Sequence, residues 1–332
     1  GGYIKSSEGI RDAGFNSEQG NQFTVNITKV FEKGELNLYT RQTDDRGTWY
    51  LPTPLNVEGI DANYTQIGPL NRQGTITYGP NDTTESFDFG EGRGWDGHVS
   101  GGSIKLDLGN DWQLVDRFNL TKGEANTFGL VPNGSATTVA NVADNGESAT
   151  GAVTGTVYDG DTPIQQIGRW VVLKDIEAFT NDLAVSKSWE DFDTSFGIYS
   201  ASTKANDWWS IGNTAYHVLQ PGGELLDGIE CNTDAQGCDW NYDISSVGDA
   251  STFAVYATGT WYATTDLSID LGLRRENHEV SYSVDEGLDG EITKALEYDE
   301  TKTSWTVGAN YALNDTSGVF VRMNRGYKMP YF

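Results

Sequence analysis

Two cysteines are the side chains of this sequence best suited to covalent chemistry. Cys231 and Cys238 lie within the segment ECNTDAQGC, a spacing at which a disulfide closes a small ring. Such a bond needs an oxidising setting, for example an extracellular loop, and two reduced thiols are the alternative. A metal site is not favoured, because none of His98, His217 and His278 lies near the pair in sequence.

A group of aromatic residues is best suited to ligand binding. Aromatic faces bind sugar rings and aromatic or hydrophobic chelators, because they combine apolar contact with polar rims. We expect long loops to carry these residues as a ligand-binding wall, and the alternative is that the rings pack the loops against each other. The group consists of Trp49, Tyr50, Trp95, Trp208, Trp209, Tyr216, Trp240 and Tyr242.

Catalytic motifs are missing from the sequence. It has no GxSxG or HExxH motif, and with 48 acidic residues a close pair of carboxylates arises by chance. No local pattern places any of the three histidines in a Ser-His-Asp arrangement. The sequence therefore predicts neither an enzyme nor a cofactor.

The overall charge is strongly negative. Forty-eight acidic and 22 basic residues among 332 give a formal charge of −26. A surface that binds nucleic-acid phosphates should be basic, so DNA and RNA are excluded as partners. No run of about 18 consecutive apolar residues occurs, which excludes a transmembrane helix.

Strands are the elements that must position these side chains. Apolar and polar residues alternate with a period of two in many segments, and helical periodicity is rare. We count eleven strands, the first near residues 2–6. The clearest later segments are 176–187, 192–201, 251–262, 266–276, 302–313 and 318–325.

The connections alternate strictly between short and long. Soluble domains seldom carry several loops of more than about 15 residues. Outer-membrane barrels do carry them, together with short periplasmic turns and strands of about ten residues. The pattern predicts an all-β fold, an antiparallel up-and-down transmembrane β-barrel that crosses the outer membrane many times. The short connections are near 32–34, 109–111, 188–191, 263–265 and 314–317, and the long ones are near 44–93, 123–174, 203–250 and 277–301.

Each predicted strand has one apolar and one polar face. We expect the apolar face to contact lipid and the polar face to line the lumen, whereas a soluble sandwich with one buried face is the alternative. Aromatic residues near the short turns match the girdle at a membrane interface. The apolar set is Ile104, Leu106, Leu114, Phe118, Leu267, Ile269, Leu271, Val307 and Val321; the polar set is Lys105, Arg117, Asp270, Arg274 and Arg322; the girdle is Phe31, Trp112, Trp189, Phe192, Trp261, Tyr262 and Tyr311.

Three stretches resemble the barrel of TonB-dependent outer-membrane receptors. The opening GGYIKSSEGIRDAGF, followed by a strand, a short turn and TRQTDDRGTWYLPTPL, is the first, and the hairpin TWYATTDLSIDLGLRRE is the second. The closing VFVRMNRGYKMPYF is similar to a strand of that family with an aromatic-Arg-x-x-x-Gly-aromatic-x-x-Pro pattern. The matching residues here are Phe320, Arg322, Gly326, Tyr327 and Pro330.

The resemblance implies a 22-stranded barrel that is filled by an N-terminal plug domain, in the outer membrane of a Gram-negative bacterium. It also implies energy coupling through the inner-membrane TonB–ExbB–ExbD complex. The sequence departs from the family pattern, because it has no plug domain or TonB-contacting segment and stops where further strands would follow. We therefore expect residues 1–332 to be an internal part, about half, of a single barrel domain.

The first functional hypothesis is import of a scarce ligand, either a ferric siderophore, a cobalamin-like corrin or an oligosaccharide. A strongly acidic mouth disfavours a bare anionic ligand. A passive porin is the first alternative and would need neither plug nor TonB. An outer-membrane barrel enzyme is the second, but it would need a nucleophile constellation that the sequence does not contain. Outer-membrane lipid is a further expected partner.

Overall fold

The computed structural model describes residues 1–54, 57–143, 146–227, 229 and 241–331. Strands dominate these residues, and two short 3-10 helices, Phe89–Glu91 and Val139–Asn141, are found in the connections. The strands are β1 (Gly2–Ser7), β2 (Glu18–Phe31), β3 (Gly34–Gly47), β4 (Gln73–Tyr78), β5 (Thr83–Asp88), β6 (Arg93–Gly109), β7 (Trp112–Thr138), β8 (Ser148–Gly151), β9 (Val157–Asp159), β10 (Pro163–Ser188), β11 (Phe192–Val218), β12 (Leu226–Asp227), β13 (Tyr242–Tyr262), β14 (Leu267–Glu286), β15 (Lys294–Asn314) and β16 (Ser317–Arg325).

Eleven strands form one antiparallel main sheet, in the order β1-β2-β3-β6-β7-β10-β11-β13-β14-β15-β16. Each strand therefore pairs with its neighbours in chain order, which is an up-and-down meander. Among the described residues, β1 pairs only with β2 and β16 only with β15, so these two strands form the sheet edges. The predicted fold class is confirmed, and the eleven predicted strands are those of the main sheet. Five further strands, β4, β5, β8, β9 and β12, lie in segments that were predicted to be loops.

Tight turns join the strands at one end of the sheet, where the sequence predicted them. The turn between β6 and β7 contains Asn110 at φ 53° and Asp111 at φ 63°. Asn and Asp tolerate this left-handed conformation, and two such residues in succession give a turn whose twist matches that of the flanking strands. Trp112 and Trp189 meet edge to face beside these turns, 6.3 Å apart.

The pairing of residues across the strands shows which side chains share a face of the sheet. Residues directly opposite each other on antiparallel strands share a face. Arg117 pairs with Asp182, Asp182 with Tyr199, and Tyr199 with Ala254. Following such pairs across the sheet places all of the predicted polar set on one face and all of the predicted apolar set on the other.

The polar face is the concave one. Neighbouring strands lie about 4.8 Å apart, so side chains on strands two apart meet easily only where the sheet curves toward them. The Asn119 amide donates to the Tyr39 hydroxyl at 2.7 Å, although β6 lies between their strands. The Tyr256 hydroxyl likewise donates to Asp182 at 2.8 Å across β11. The apolar face is therefore the outward face.

The strands are longer than the sequence predicted, and this corrects the predicted loop bounds. β7 continues to Thr138, β10 begins at Pro163 and β11 continues to Val218, so much of 123–174 and 203–250 is strand. We call the parts of the long strands that lie away from the short turns their remote halves. The alternation of apolar and polar residues stops there, because both faces are polar or covered by other segments. The ladder of backbone hydrogen bonds continues without that alternation.

Buried apolar clusters occur in the remote halves of the strands. The first cluster holds Ile76 of the β4–β5 hairpin against Phe128, Val171 and other side chains. The second packs Val139 and Ala149 against the ends of β10 and β11. Near the turns, by contrast, large apolar side chains such as Phe196 and Leu273 are more than half exposed on the outward face. No helix in the described part of the chain is both long and apolar enough to cross a membrane.

Candidate ligand-binding wall

Several tryptophans share the concave face in the remote halves of the strands. Trp95 pairs with Ala125, Ala125 with Lys174, and Lys174 with Asp207, two residues before Trp209. The pairing of β6 with β7 keeps this register as far as Arg117, near the short turn, so these tryptophans lie on the same concave face as Arg117. We define the aromatic wall as Trp49, Trp95, Trp170 and Trp209.

Glycines make room for two of these rings. A Cβ atom on Gly97 would lie 2.5 Å from the ring of Trp95, and one on Gly123 would lie 2.9 Å from it. A Cβ atom on Gly129 would lie 2.7 Å from the ring of Trp49. Glycine within a strand often marks such a close approach. The rings therefore lie flat on the strands instead of projecting freely.

Cationic groups surround the wall. Trp49 and Trp170 meet edge to face, with ring centroids 6.2 Å apart, and the Arg93 guanidinium lies 4.2 Å from the Trp49 ring. The Lys174 ammonium lies 5.5 Å from the Trp209 ring, within range of a cation–π contact. The Trp209 indole N–H is buried and has no acceptor among the described residues. The wall thus offers flat apolar faces and the Arg93 guanidinium, whereas Lys174 is ion-paired with Asp207.

Five of the predicted aromatic residues lie on strands, which corrects their placement in loops. These are Trp95 on β6, Trp208, Trp209 and Tyr216 on β11, and Tyr242 at the start of β13. These residues were placed in loops because the strands continue beyond the segments in which apolar and polar residues alternate clearly.

The predicted group does not form one surface. Trp208 lies on the outward face and meets Tyr78 of the β4–β5 hairpin edge to face at 4.9 Å. Tyr216 is buried in the second apolar cluster, and the Tyr50 hydroxyl bonds with Ser17 at 2.7 Å. Trp49, Trp95 and Trp209 of the group are on the wall, and Tyr242, directly opposite Ile211, lies on the same concave face. Trp240 and the cysteine pair 231/238 lie outside the described residues, so the disulfide stays a prediction.

Trp170 is the member of the wall that the sequence analysis missed. It lies on β10 two residues before Val172, which pairs with Trp209. Trp170, Val172, Lys174 and Ile176 continue the concave face of 176–187, but Val171 and Leu173 on the other face are apolar as well, so no alternation marks this part of the strand.

A row of acidic side chains crosses the outward face at the same level. Asp44 is directly opposite Asp96, Asp96 is opposite Glu124, and Glu124 is opposite Asp175. Like charges in this register destabilise a sheet. The row borders a cavity of about 520 Å³ that is also lined by Trp208 and by Trp95 and Lys174 of the concave face. Among the described residues, no group of three potential ligands is placed to hold a metal ion.

A buried carboxylate joins the connection after β11 to the connection between β7 and β10. The Glu224 carboxylate accepts hydrogen bonds from the backbone N–H groups of Val153 and Thr154, both at 2.9 Å, and from the Tyr158 hydroxyl at 3.0 Å. The Thr154 hydroxyl also donates to it. Burial alone would raise the pKa of this carboxyl, but these hydrogen bonds outweigh it and the pKa lies below its usual value.

The family-motif residues of the closing strand make specific contacts. Arg322 lies 3.4 Å from Asp270 across β15. After β16, which ends before Gly326, the chain turns back over β14, where His278 Nε2 lies 2.9 Å from the Pro330 carbonyl. Because a carbonyl only accepts, Nε2 carries the proton. The Tyr327 ring lies within cation–π range of neighbouring basic side chains.

The TonB dependent receptor-like beta-barrel family model matches residues 26–332. The chain belongs to this family. Its members are outer-membrane proteins of Gram-negative bacteria, and the resemblance stated from the sequence is confirmed. The match covers β3 and all later strands, and therefore includes the aromatic wall.

Three solved receptors share this fold. The ferric yersiniabactin uptake receptor FyuA from Yersinia pestis has a TM-score of 0.58 and 13% identity, covering 97% of this chain and 40% of that chain. The open form of the ferric-catecholate import receptor Fiu from E. coli K12 gives 0.54 and 11%, covering 97% and 49%. The siderophore receptor PiuA from Acinetobacter baumannii gives 0.52 and 13%, covering 92% and 41%.

Identities this low show the fold alone. The chain spans less than half the length of each of these three receptors. Among curated protein sequences, none matches this chain at a significant level.

Proposed function

We propose that residues 1–332 are part of the barrel domain of an outer-membrane receptor that imports a scarce ligand by TonB-coupled active transport. The outward apolar face lies in lipid in this proposal, and the short turns lie on the periplasmic side. The remote halves of the strands then project outside the cell. The observation that carries the proposal is the aromatic wall, which lies on the concave face at the extracellular end.

The wall favours ligands with flat ring surfaces and acceptor oxygens. Its rings supply apolar contact and Arg93 supplies positive charge and N–H donors, whereas the charge of Lys174 is paired with Asp207. A ferric siderophore, a cobalamin-like corrin and an oligosaccharide all meet this description. The three structural neighbours are named as receptors for siderophores or their ferric complexes, so a ferric siderophore is the first class to test.

The energy source in this proposal is the inner-membrane TonB–ExbB–ExbD complex. We assign its contacts to parts of the receptor other than the strands described here. Outer-membrane lipid is the second partner and contacts the outward face. Both assignments follow from membership of the family and not from any contact seen in the chain.

The test uses whole cells that express the full-length parent protein. Uptake of labelled ferric siderophore, corrin and oligosaccharide is measured with and without a protonophore. A receptor gives saturable uptake of one class, and the protonophore abolishes it. A passive porin, the alternative function, gives uptake that rises linearly with concentration and ignores the protonophore, and this result would reject the proposal.

A wall variant links the transport assay to the site. Trp95→Ala should weaken ligand binding at least tenfold, which corresponds to about 1.4 kcal/mol, because it removes the indole ring that packs on Gly97 and Gly123. The matched control is Trp305→Ala, which lies on the outward face of β15 and should leave affinity unchanged. Equal affinity of the Trp95 variant and the parent would remove the wall from the binding site.

A further inference from the structure

Asp116 is an exception on the outward face of the sheet. Leu114 and Phe118 flank it on β7, and its direct cross-strand partners are Ile104 and Leu183. Across β7, β10, β11 and β13, which the structure describes in full, it is the one charged side chain on the apolar part of this face. On strands farther along the sheet, Lys29 of β2 and Arg275 of β14 lie on the same face and in the same cross-strand row. A carboxylate therefore lies among aliphatic and aromatic side chains that the proposed function places in lipid.

Asn181 is the neighbour that contacts this carboxylate. Its amide donates to one Asp116 oxygen at 2.7 Å and to the Arg117 carbonyl at 3.2 Å. Among the described residues, no other donor and no cation is recorded within bonding distance of Asp116. The second carboxylate oxygen thus retains its capacity to accept hydrogen bonds.

The depth of the pair follows from strand geometry. Asp116 is four residues above Trp112, the aromatic residue at the turn. At about 3.3 Å per residue and a strand tilt of about 40°, it lies roughly 10 Å above the level of that ring. This places it well inside an apolar band of about 25 Å. Ionisable groups at such depth are costly in lipid and mark functional contacts.

We propose that Asp116 and Asn181 form a contact site for a membrane-embedded protein segment that presents an arginine or lysine. This inference rests on the proposed function, because it needs the outward face to lie in the membrane. Charge complementarity selects the cation, and the flanking Ile104, Phe118 and Leu183 supply an apolar surface against which the segment packs. The amide of Asn181 orients the carboxylate so that its free oxygen can accept from the partner.

Two other occupants fit less well. Lipid ammonium groups lie at the level of the head groups, roughly 10 Å from Asp116, whereas a protein segment can carry a cation to any depth. A second copy related by twofold symmetry would bring the two carboxylates toward each other, which is repulsive. The geometry therefore favours a different protein with a basic side chain within the bilayer.

The experiment uses the full-length protein in phosphatidylcholine vesicles together with synthetic leucine-rich transmembrane helices. The helices carry a single Arg, Gln or Leu about 10 Å from one end, and association is measured by energy transfer between labels. We expect the Arg helix to associate at least tenfold more tightly than the Gln helix. Asp116→Asn should reduce this preference below twofold, because the charge is lost while the acceptor for Asn181 is kept.

Control variants separate this contact from a structural role. Glu177→Gln neutralises an outward carboxylate above the apolar band and should leave the Arg preference intact. An Arg preference that survives Asp116→Asn would overturn the proposal, as would equal binding of the Arg and Gln helices. Loss of the preference when phosphatidylethanolamine replaces phosphatidylcholine would assign the site to lipid and also overturn it. Failure of the parent to insert into vesicles would reject the membrane assignment itself, which is a different result.

Discussion

The turn-side halves of the long strands and their remote halves follow different rules. On β11, Phe196 and Ile198 face outward near the turn, and Ser195 and Tyr199 face the concave side. Further along the same strand the outward positions include Lys204, and both faces carry polar and aromatic residues. One face of the turn-side half meets lipid in the proposed function, whereas both faces of the remote half meet water or other segments. Apolar and polar side chains therefore alternate only where the two faces of the strand meet different surroundings.

The two halves are also held together differently. The turn-side half relies on its hydrogen-bond ladder and on side chains that bridge the concave face, such as Tyr256 with Asp182. The remote half is a layered structure, in which the β4–β5 hairpin and the β8–β9–β12 sheet bury apolar clusters against the main sheet. Point changes should consequently act through solvation in the first half and through packing or hydrogen bonds in the second.

The largest effect should come from a charge on the outward face of the turn-side half. Phe196→Arg places a cation at about the same depth as Asp116, where an exposed arginine costs roughly 2–4 kcal/mol in lipid. The free energy of unfolding, measured by urea titration in vesicles, should fall by that amount. Ser202→Arg on the same face of the same strand reaches the upper interface, where the cost is about 0–1 kcal/mol. An equal decrease in the free energy of unfolding for the two variants would contradict this difference between the halves.

The next largest effect should come from the carboxylate of the remote half. Glu224→Gln replaces one acceptor oxygen by an NH₂ group that faces N–H donors, and hydrogen bonds to a charged group are worth about 1.5–3 kcal/mol. Cleavage of the segment 148–159 by a protease should become at least tenfold faster at neutral pH. Folding of the barrel in vesicles should be unchanged, because the segment lies outside the apolar band.

The pH dependence of this segment has a defined sign. The pKa of Glu224 is lowered in the folded protein, so its stabilisation is present above the unfolded value of about 4.3. It is lost as the pH falls through the folded pKa. Protection from an acid-active protease should therefore be constant at neutral pH and fall in strongly acidic solution. Glu224→Gln should show no such transition, and a transition that persists in the variant would mean that another group causes it.

The sequence was informative where solvent differs across the sheet. The strands of the main sheet, the short turns and the opposite faces of Asp270 and Leu271 were all predicted, because in the proposed function lipid on one side imposes a period of two. The extensions to Thr138 and Val218 were not, because no such contrast exists there. Trp170 was missed for this reason. A residue belongs to the wall only if it lies on the concave face. For two adjacent aromatic residues such as Trp208 and Trp209, the sequence does not show which one faces that side unless the strand is known to extend that far.

Trp208 and Trp209 test that point directly, because adjacent residues on one strand face opposite sides. Trp209→Ala should weaken ligand binding by the full-length parent at least tenfold, about 1.4 kcal/mol, through loss of a ring on the concave face. Trp208→Ala should leave the affinity within twofold but expose the tip of the β4–β5 hairpin to proteolysis, since its contact with Tyr78 is lost. If the two variants exchange these phenotypes, the register of β11 is wrong.

The smallest effect should come from the acidic row on the outward face, and it should be stabilising. Glu124 lies directly between Asp96 and Asp175, and among the described residues it takes part in no ion pair. Glu124→Gln removes two like-charge contacts, each worth about 0.2–1 kcal/mol, so the free energy of unfolding should rise by a few tenths of a kcal/mol or more.

Salt and a matched variant make this small change interpretable. The gain should disappear near 1 M salt, where the screening length falls to about 3 Å. Glu177→Gln, one level nearer the turns on the same outward face, should have the opposite sign, because Glu177 is paired with Lys122 at 3.3 Å. A row of like charges is tolerated in the remote half because water screens it, and the same row within the apolar band would not be. A loss of stability in Glu124→Gln would mean that the row is neutralised by a bound cation, and that its acidity is functional rather than merely tolerated.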